Sequence, residues 1–447
     1  MKTLPLTPFE TYLYEDDVPA HPCWQIVRHR WRGKFERAPL EKAWRGTTAL
    51  HPLLNSVVRR GFLGKLRWVV SAQAAPPIHW CRREGPREWP AWLPIDLDKG
   101  PGVRLYLLED GERTDAVLCA HHAVCDGLAL LDIMEDLYLR YAGDRGDPVV
   151  PKPDAPADAL ARRGHIGAGF PERLWLPLLQ LAGIVAESKL LRRTVAPLVP
   201  HVPAPDASPR PEEWPALVTR VWSEADTAVV RDAAKKAECG LPEMLMRDLQ
   251  AAIGTWRLAQ GVNAPHDWIR LGTAVSLRRK TKGSWPAANL FGVAIIDRSA
   301  KQLSNRERLL RRATEDMGLI EKWKFGYATW MLMSVRRWWP GGIRAYARRR
   351  VVRMTCIMSF MGKVYSRSAL PRQGRYPQVP GAVLEEIHGV APTRPGTCAC
   401  MDLGIIFGCL NGSLHFDPRV ITRAQAEAFM EALASQLRLS AGRGPSP

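Results

Sequence analysis

The sequence predicts an α/β fold, a two-layer α+β sandwich built twice, and three observations predict it. Strand-like and helix-like patterns alternate along the whole chain, which favours sheets covered by helices over an all-α or all-β arrangement. The chain has 447 residues, more than one hydrophobic core usually spans, so two domains are expected. A stretch rich in proline, aspartate and alanine interrupts the pattern near the middle. It divides the chain into a first domain at 1–199, a linker at 200–214 and a second domain at 215–447.

The elements follow in order. Residues 35–60 read as a helix and then a strand: Leu40, Ala43, Trp44, Leu50 and Leu53 recur at near-helical spacing, and His51-Pro52 breaks the run. Val57-Val58 and residues 66–71 carry the β-branched and aromatic residues that suit strands. Residues 82–94 are a polar, proline-broken loop. Residues 103–109 and 116–120 read as strands joined by the turn Asp110-Gly111-Glu112. Residues 128–141 form an amphipathic helix, with Leu130, Ile133, Met134 and Leu137 along one face. Residues 147–158 are again rich in Pro, Asp and Ala.

Beyond the linker, residues 217–222 read as a strand and 224–261 as two helices broken near Gly240. Residues 269–275 and 290–296 are further strands, and 306–347 is mainly helical. Residues 403–409 and 414–417 form a strand pair whose turn is expected at Asn411-Gly412, before a closing helix at 422–437.

Composition narrows the functions. The net charge is +18, and a basic surface attracts nucleic acid, anionic headgroups, coenzyme phosphates or an acidic carrier protein. A GC-rich coding sequence gives the same arginine, alanine and proline bias without any partner. No zinc finger, RNA-binding signature or basic zipper is present, which argues against nucleic acid. The nine cysteines are scattered, and Cys398-Ala399-Cys400 is too tight for a tetrahedral metal site, so free thiols and no metal are expected. The first eight residues lack the apolar core of a signal peptide. The apolar run at 174–185 contains Pro177 and falls short of the roughly 20 residues a membrane span takes. A cytoplasmic protein is expected, with a peripheral place at a membrane left open.

The chemistry concentrates in His121-His122-Ala123-Val124-Cys125-Asp126-Gly127. An apolar strand, Val117 to Ala120, ends here in two imidazoles, and a helix starts after a short turn. A neutral histidine is a natural general base for a hydroxyl, amine or thiol. Asp126 can hold a neighbouring cation through a charge-assisted hydrogen bond, and Gly127 permits a tight turn or close backbone approach. For one isolated histidine a structural role is the ordinary reading. Four fixed residues within seven positions, between a strand and a helix, are much rarer. Cys125 beside His122 reads as core rather than nucleophile, because neighbours in a turn seldom face each other.

This stretch resembles the HHxxxDG motif of the chloramphenicol-acetyltransferase-like superfamily. That superfamily includes condensation domains, plant alcohol acyltransferases, polyketide-associated acyltransferases and wax ester synthase/diacylglycerol acyltransferases. Several other stretches resemble family segments: Leu6-Thr7-Pro8-Phe9-Glu10, His51-Pro52-Leu53-Leu54, Val275-Ser276-Leu277-Arg278 and Asn289-Leu290-Phe291-Gly292. So do Ile95-Asp96-Leu97 with Gly100-Pro101 and Val103-Arg104-Leu105, before the motif. The resemblance implies two similar domains forming a pseudo-dimer with an interdomain tunnel. It implies acyl transfer from a CoA or phosphopantetheine-linked thioester to a hydroxyl or amine, with no tightly bound cofactor and a monomeric enzyme. His122 would be the general base, though some condensation domains give this residue a positioning role. His121, Asp126 and Gly127 would be structural, with Arg278 as the partner of Asp126. Thr355, Ser359 and Asn289 are the candidates for oxyanion or substrate contacts. Phe360 stands where the family carries an asparagine, and the DFGWG element is not recognisable.

Two alternatives remain open beside the transferase: a stand-alone condensation-type enzyme joining carrier-bound substrates, and an inactive member that binds lipid or carrier. Residues 322–353 interleave tryptophans with arginines. This suits an anionic membrane surface, an acyl carrier protein or a thioester's phosphates, and equally a helix with buried rings and solvated arginines.

Overall fold

The computed structural model describes residues 3–442 apart from 62–63, 71–74, 84–88, 148, 150–157, 166–180, 182–184, 186–191, 279–284, 324 and 340. Most of the apolar run at 174–185 and of the proline-rich stretch at 147–158 therefore lies outside the described residues.

The chain begins with β1 (Thr3–Pro5), α1 (Pro8–Glu15), β2 (Trp24–Gly33), α2 (Arg37–Leu50), β3 (Ser56–Arg60) and β4 (Leu66–Val70). It continues through β5 (Ile78–Arg82), β6 (Val103–Asp110), β7 (Arg113–His121) and α3 (Gly127–Asp144). After residue 200 come β8 (Ala216–Val221), α4 (Glu224–Lys236), α5 (Leu241–Ala259), β9 (Trp268–Ser276) and β10 (Phe291–Ser299). Three helices follow: α6 (Arg306–Lys322), α7 (Ala328–Arg336) and α8 (Gly342–Ala347). The remainder is β11 (Cys356–Val364), β12 (Arg372–Gln373), β13 (Tyr376–Val379), β14 (Ala382–Val390), β15 (Ala399–Ile406), β16 (Cys409–Phe416) and α9 (Arg423–Ser440).

The expected α/β layering is present. One sheet has seven strands in the order β12-β13-β14-β2-β7-β6-β5, and a second has six in the order β10-β9-β11-β15-β16-β8. A small third sheet joins β1, β4 and β3. The helices α2 and α3 pack together, α3 lying against β2 and β7, while α5 and α9 pack together beside the second sheet. Two hydrophobic cores result.

The halves are interleaved rather than simply consecutive. Residues 372–390 return to the first sheet, where β14 pairs with β2 from Ala382 opposite Gly33 to Val390 opposite Ile26. The proline-rich stretch at 200–214 is also packed down. Trp214 meets Trp24 and Trp92 edge-on, and the Trp92 indole donates to the Trp214 carbonyl at 3.0 Å.

The turn expected at Asn411-Gly412 lies elsewhere. It is formed by Phe407 and Gly408, whose φ angles are 50° and 89°, and Gly412 sits inside β16 opposite Leu403. Two successive positive φ angles are what a two-residue hairpin demands. Gly412 has a packing reason instead: a Cβ there would come within 3.1 Å of the Trp222 ring.

Candidate active site

The histidine turn is shaped by its neighbours in both directions along the chain. Strand β7 is buried from Thr114 through His121 and pairs with β2, placing Trp24 opposite His121 and Gln25 opposite Ala120. The backbone N–H of His122 then donates to the carbonyl of Cys23 at 2.7 Å. Asp126 caps α3 by accepting the Ala129 N–H at 3.0 Å, one of the orphan donors that every helix start must satisfy. Gly127 is the first helical residue, and a Cβ there would press on Gln25 Oε1 at 3.3 Å. Its requirement is close approach, not an unusual backbone angle.

The His122 ring is half-buried and opens on a cavity of about 290 Å³ lying between the two sheets. It stacks on Phe291 with centroids 5.2 Å apart and planes 18° apart. Burial holds its pKa down at about 4, partly offset by its own backbone carbonyl and by Asp126, so the neutral ring prevails at pH 7. The amide nitrogen of Gln25 lies 2.9 Å from Nδ1 and donates to the Cys125 carbonyl at 2.6 Å. Flipping that amide would set oxygen against oxygen at Cys125, so the nitrogen stays where it is. Nδ1 thus has two ways to be satisfied: its proton on the ring's own carbonyl, or its lone pair accepting from Gln25. Only the first leaves Nε2 able to accept a proton.

The β9–β10 connection is fastened to this turn at several points. Arg278 makes a two-pronged pair with Asp126, Nη1 to Oδ2 at 2.8 Å and Nη2 to Oδ1 at 2.7 Å. The N–H of Leu290 also donates to Asp126 Oδ2, at 2.7 Å. Asn289 is fully buried, and its amide nitrogen donates to the carbonyls of His122 and Ala123 at 2.8 and 3.0 Å. Farther along, the Ala287 N–H donates to Nδ1 of His51, whose Nε2 is 2.8 Å from Asp136. The carboxylate of Asp126 therefore serves one cap, one backbone N–H and one guanidinium at once.

His121 faces the other way. Its Nδ1 accepts the Ala123 N–H at 3.0 Å, and Nε2 lies 3.6 Å from Asp17. Burial alone would raise the Asp17 carboxyl, but His121 and the Cys23 N–H outweigh it and hold that carboxyl below its ordinary range.

The other candidate residues separate. Ser359 and Phe360 line the cavity with His122, Asp126 and Arg278. Thr355 does not. Its hydroxyl donates to the Ala196 carbonyl at 2.7 Å and accepts the Arg270 N–H at 3.0 Å, so it is spent inside the second half. Asn289 likewise holds backbone carbonyls and leaves no amide donor for a substrate.

Asp402 was not flagged by the sequence, although a single carboxylate in the apolar run from Cys398 to Ile406 is a usable signal. It sits on β15 beside Ser359 of β11, lines the cavity, and accepts the Ala391 N–H at 2.9 Å. Burial raises its pKa to about 6, against the lowering effects of Ala391 and Ser359. A carboxyl raised in the folded protein contributes its stability in full while protonated and loses it as pH rises through about 6. At about 1.4 kcal/mol per unit, the buried charge costs roughly 3 kcal/mol at pH 8. Asp402→Asn should therefore unfold at higher denaturant than wild type at pH 8, with the gap closing toward pH 4. Urea melts of both proteins across that range check this, and a gap independent of pH would contradict it.

No family model matches the chain. The AMB antimetabolite synthetase AmbE of Pseudomonas aeruginosa is 29% identical over 147 residues, a match spanning 30% of this chain and 7% of that synthetase. The first condensation domain of the calcium-dependent antibiotic synthetase, solved with a substrate analogue, superposes with a TM-score of 0.71 at 14% identity, covering 100% of this chain and 98% of that one. The condensation domain of the Monacolin K polyketide synthase MokA gives 0.68 at 12% identity over 100% and 98%. Polyketide synthase associated protein 5 from Mycobacterium tuberculosis gives 0.64 at 15% identity over 98% and 97%. With its two interleaved sheets and its histidine turn between them, the chain has the fold of these condensation domains and of polyketide synthase associated protein 5.

Proposed function

We propose that the protein transfers an acyl group from a CoA or phosphopantetheine thioester to a hydroxyl or amine acceptor, with His122 taking the acceptor's proton. The observation that carries this reading is a neutral, half-buried imidazole opening on a cavity lined by both sheets. The acceptor attacks the thioester carbonyl as its proton passes to the ring. The tetrahedral intermediate then collapses, the carbon–sulfur bond breaks, and the same proton leaves with the thiol. No covalent enzyme intermediate is involved. Ser359 is the hydroxyl on the cavity wall nearest this role, and to meet the developing oxyanion it would turn from the Asp402 carboxyl to which it is hydrogen-bonded. Asp126, Arg278, Asn289 and Gly127 hold the turn without touching reacting atoms.

A stand-alone condensation reaction, with both partners on carrier proteins, is the second reading. The end-to-end match to condensation domains favours keeping it. One experiment addresses both. Purified protein is given acyl-CoA, acyl-pantetheine or acyl-carrier-protein thioesters of several chain lengths, with a panel of alcohols and amines, and free thiol is measured. Acceptor-dependent thiol release supports transfer. Release only from carrier-bound thioesters selects the condensation reading, and no release from either removes the catalytic claim.

A further inference from the structure

The outer surface of the α7–α8 region is unlike the rest of the molecule. The α7 helix ends at Arg336, and the backbone turns back through Gly341 and Gly342, whose φ angles are 72° and 57°. At this tip Trp338 and Trp339 are 79% and 63% exposed, with Val335 exposed beside them. Isolated exposed apolar residues are ordinary, but adjacent exposed indoles call for an occupant. Arginines surround them. Arg337 lies 4.9 Å from the Trp338 ring centre and Arg336 lies 5.1 Å from that of Tyr346, so both sit over rings. Arg344, Arg348 and Arg350 have Glu15 and Asp206 as partners.

The opposite side of the same segment is part of the reaction cavity. Thr329, Leu332 and Met333 of α7 line it, as do Tyr346 and Ala347 of α8. The segment is clamped to the edge strand β10: the Trp330 indole donates to the Phe291 carbonyl at 2.7 Å, and the Thr329 hydroxyl donates to that of Val293 at 3.0 Å. At Gly292 the approach is so close that a Cβ would fall 1.8 Å from the Gly326 carbonyl oxygen. The exposed tip and the cavity wall therefore belong to one element fixed beside Phe291, the ring on which His122 stacks.

We propose that this tip docks on an anionic bilayer surface, Trp338 and Trp339 entering the headgroup layer while Arg336 and Arg337 meet lipid phosphates. Positive charge combined with exposed apolar rings selects the occupant. An acidic carrier protein would pair with the arginines but would leave two indoles without an apolar partner, whereas a headgroup layer accommodates both. Among the described residues no helix is long and apolar enough to cross a membrane. Taken with the acyl-transfer reading, on which this last step rests, docking places the cavity wall next to the lipid that supplies its acyl chain or acceptor.

The test is co-sedimentation of the full chain with phosphatidylcholine vesicles, with and without phosphatidylglycerol. Wild type and His122→Ala are expected to bind the anionic vesicles equally and to release as salt is raised, which separates docking from catalysis. Trp338→Ser/Trp339→Ser and Arg336→Glu/Arg337→Glu should each weaken binding by at least about tenfold, a loss of about 1.4 kcal/mol, with unchanged thermal melts. Retained binding in both double variants would overturn the proposal. So would equal affinity for neutral vesicles, or binding of an acyl carrier protein, lost in the same variants, with no vesicle binding at all.

Discussion

Replacing His122 with alanine should lower acceptor-dependent thiol release by about 10³-fold, the range that a positioned general base supplies. The loss should appear in kcat/KM with every acceptor, because in the proposed reaction the ring takes the proton of whichever group attacks. The pH dependence gives a second signature. A free imidazole protonates near 6.5, but burial lowers the His122 pKa to about 4, so the neutral form persists through mildly acid solution. The wild-type rate should hold down to about pH 5 and fall only as pH approaches 4. Residual turnover in His122→Ala should lack that acid limb. A limb centred near 6.5 would place the base in a more exposed environment than this ring occupies. An unchanged rate in the variant would remove His122 from the reaction, and the tautomer set by Gln25 would then be the more important fact about it. With the ring's proton on Nε2, His122 could only donate a hydrogen bond into the cavity.

The seven-residue turn was legible because everything that defines it is local. A buried strand, two imidazoles, a capping aspartate and a helix follow one another without help from distant sequence. The groups that complete the site were not legible for the opposite reason. Gln25 reaches His122 only because β2 pairs with β7, and β2 itself escaped notice. Its sequence, with Arg28, His29, Arg30 and Arg32, breaks the apolar alternation by which strands are recognised. In the fold two of those charges are matched across the sheet, Arg30 gripping Asp115 at 2.8 and 3.0 Å and Arg32 meeting Glu385 of β14, while the buried His29 ring meets the Tyr138 hydroxyl of α3. Strand β14 was hidden by the other half of the same pairing, Glu385, Glu386 and His388. Asn289 and Thr355 show the converse limit. Their motif positions pointed toward the substrate, but their hydrogen bonds go to the backbone carbonyls of His122, Ala123 and Ala196. Sequence gives the residue type, and only the fold decides which of several partners it serves.

Asp126→Ala should be the most destabilising single change at the turn, and the comparison with Arg278→Met shows why. Asp126 is almost fully buried, and its two oxygens serve the Ala129 N–H, the Leu290 N–H and both prongs of Arg278. Removing it uncaps α3, worth about 1 kcal/mol. It also leaves a largely buried guanidinium uncompensated, and breaking such a pair from one side costs about 3–5 kcal/mol. Burial would otherwise lower the Arg278 pKa, and it is Asp126 that more than restores it. In Arg278→Met the carboxylate keeps its two N–H donors, so a smaller loss of roughly 2 kcal/mol is expected. Because the two residues answer one another, Asp126→Ala/Arg278→Met should be no less stable than Asp126→Ala alone. Urea melts of the four proteins close the cycle. Strictly additive losses would mean that the pair is not coupled. Activity should follow stability only in part. The β9–β10 connection also carries Asn289, which holds the carbonyls of His122 and Ala123, so loosening Leu290 should lower kcat at temperatures where Asp126→Ala is still folded. Restoring stability with the methionine variant should not restore kcat, since the cap and the Leu290 tether are still missing.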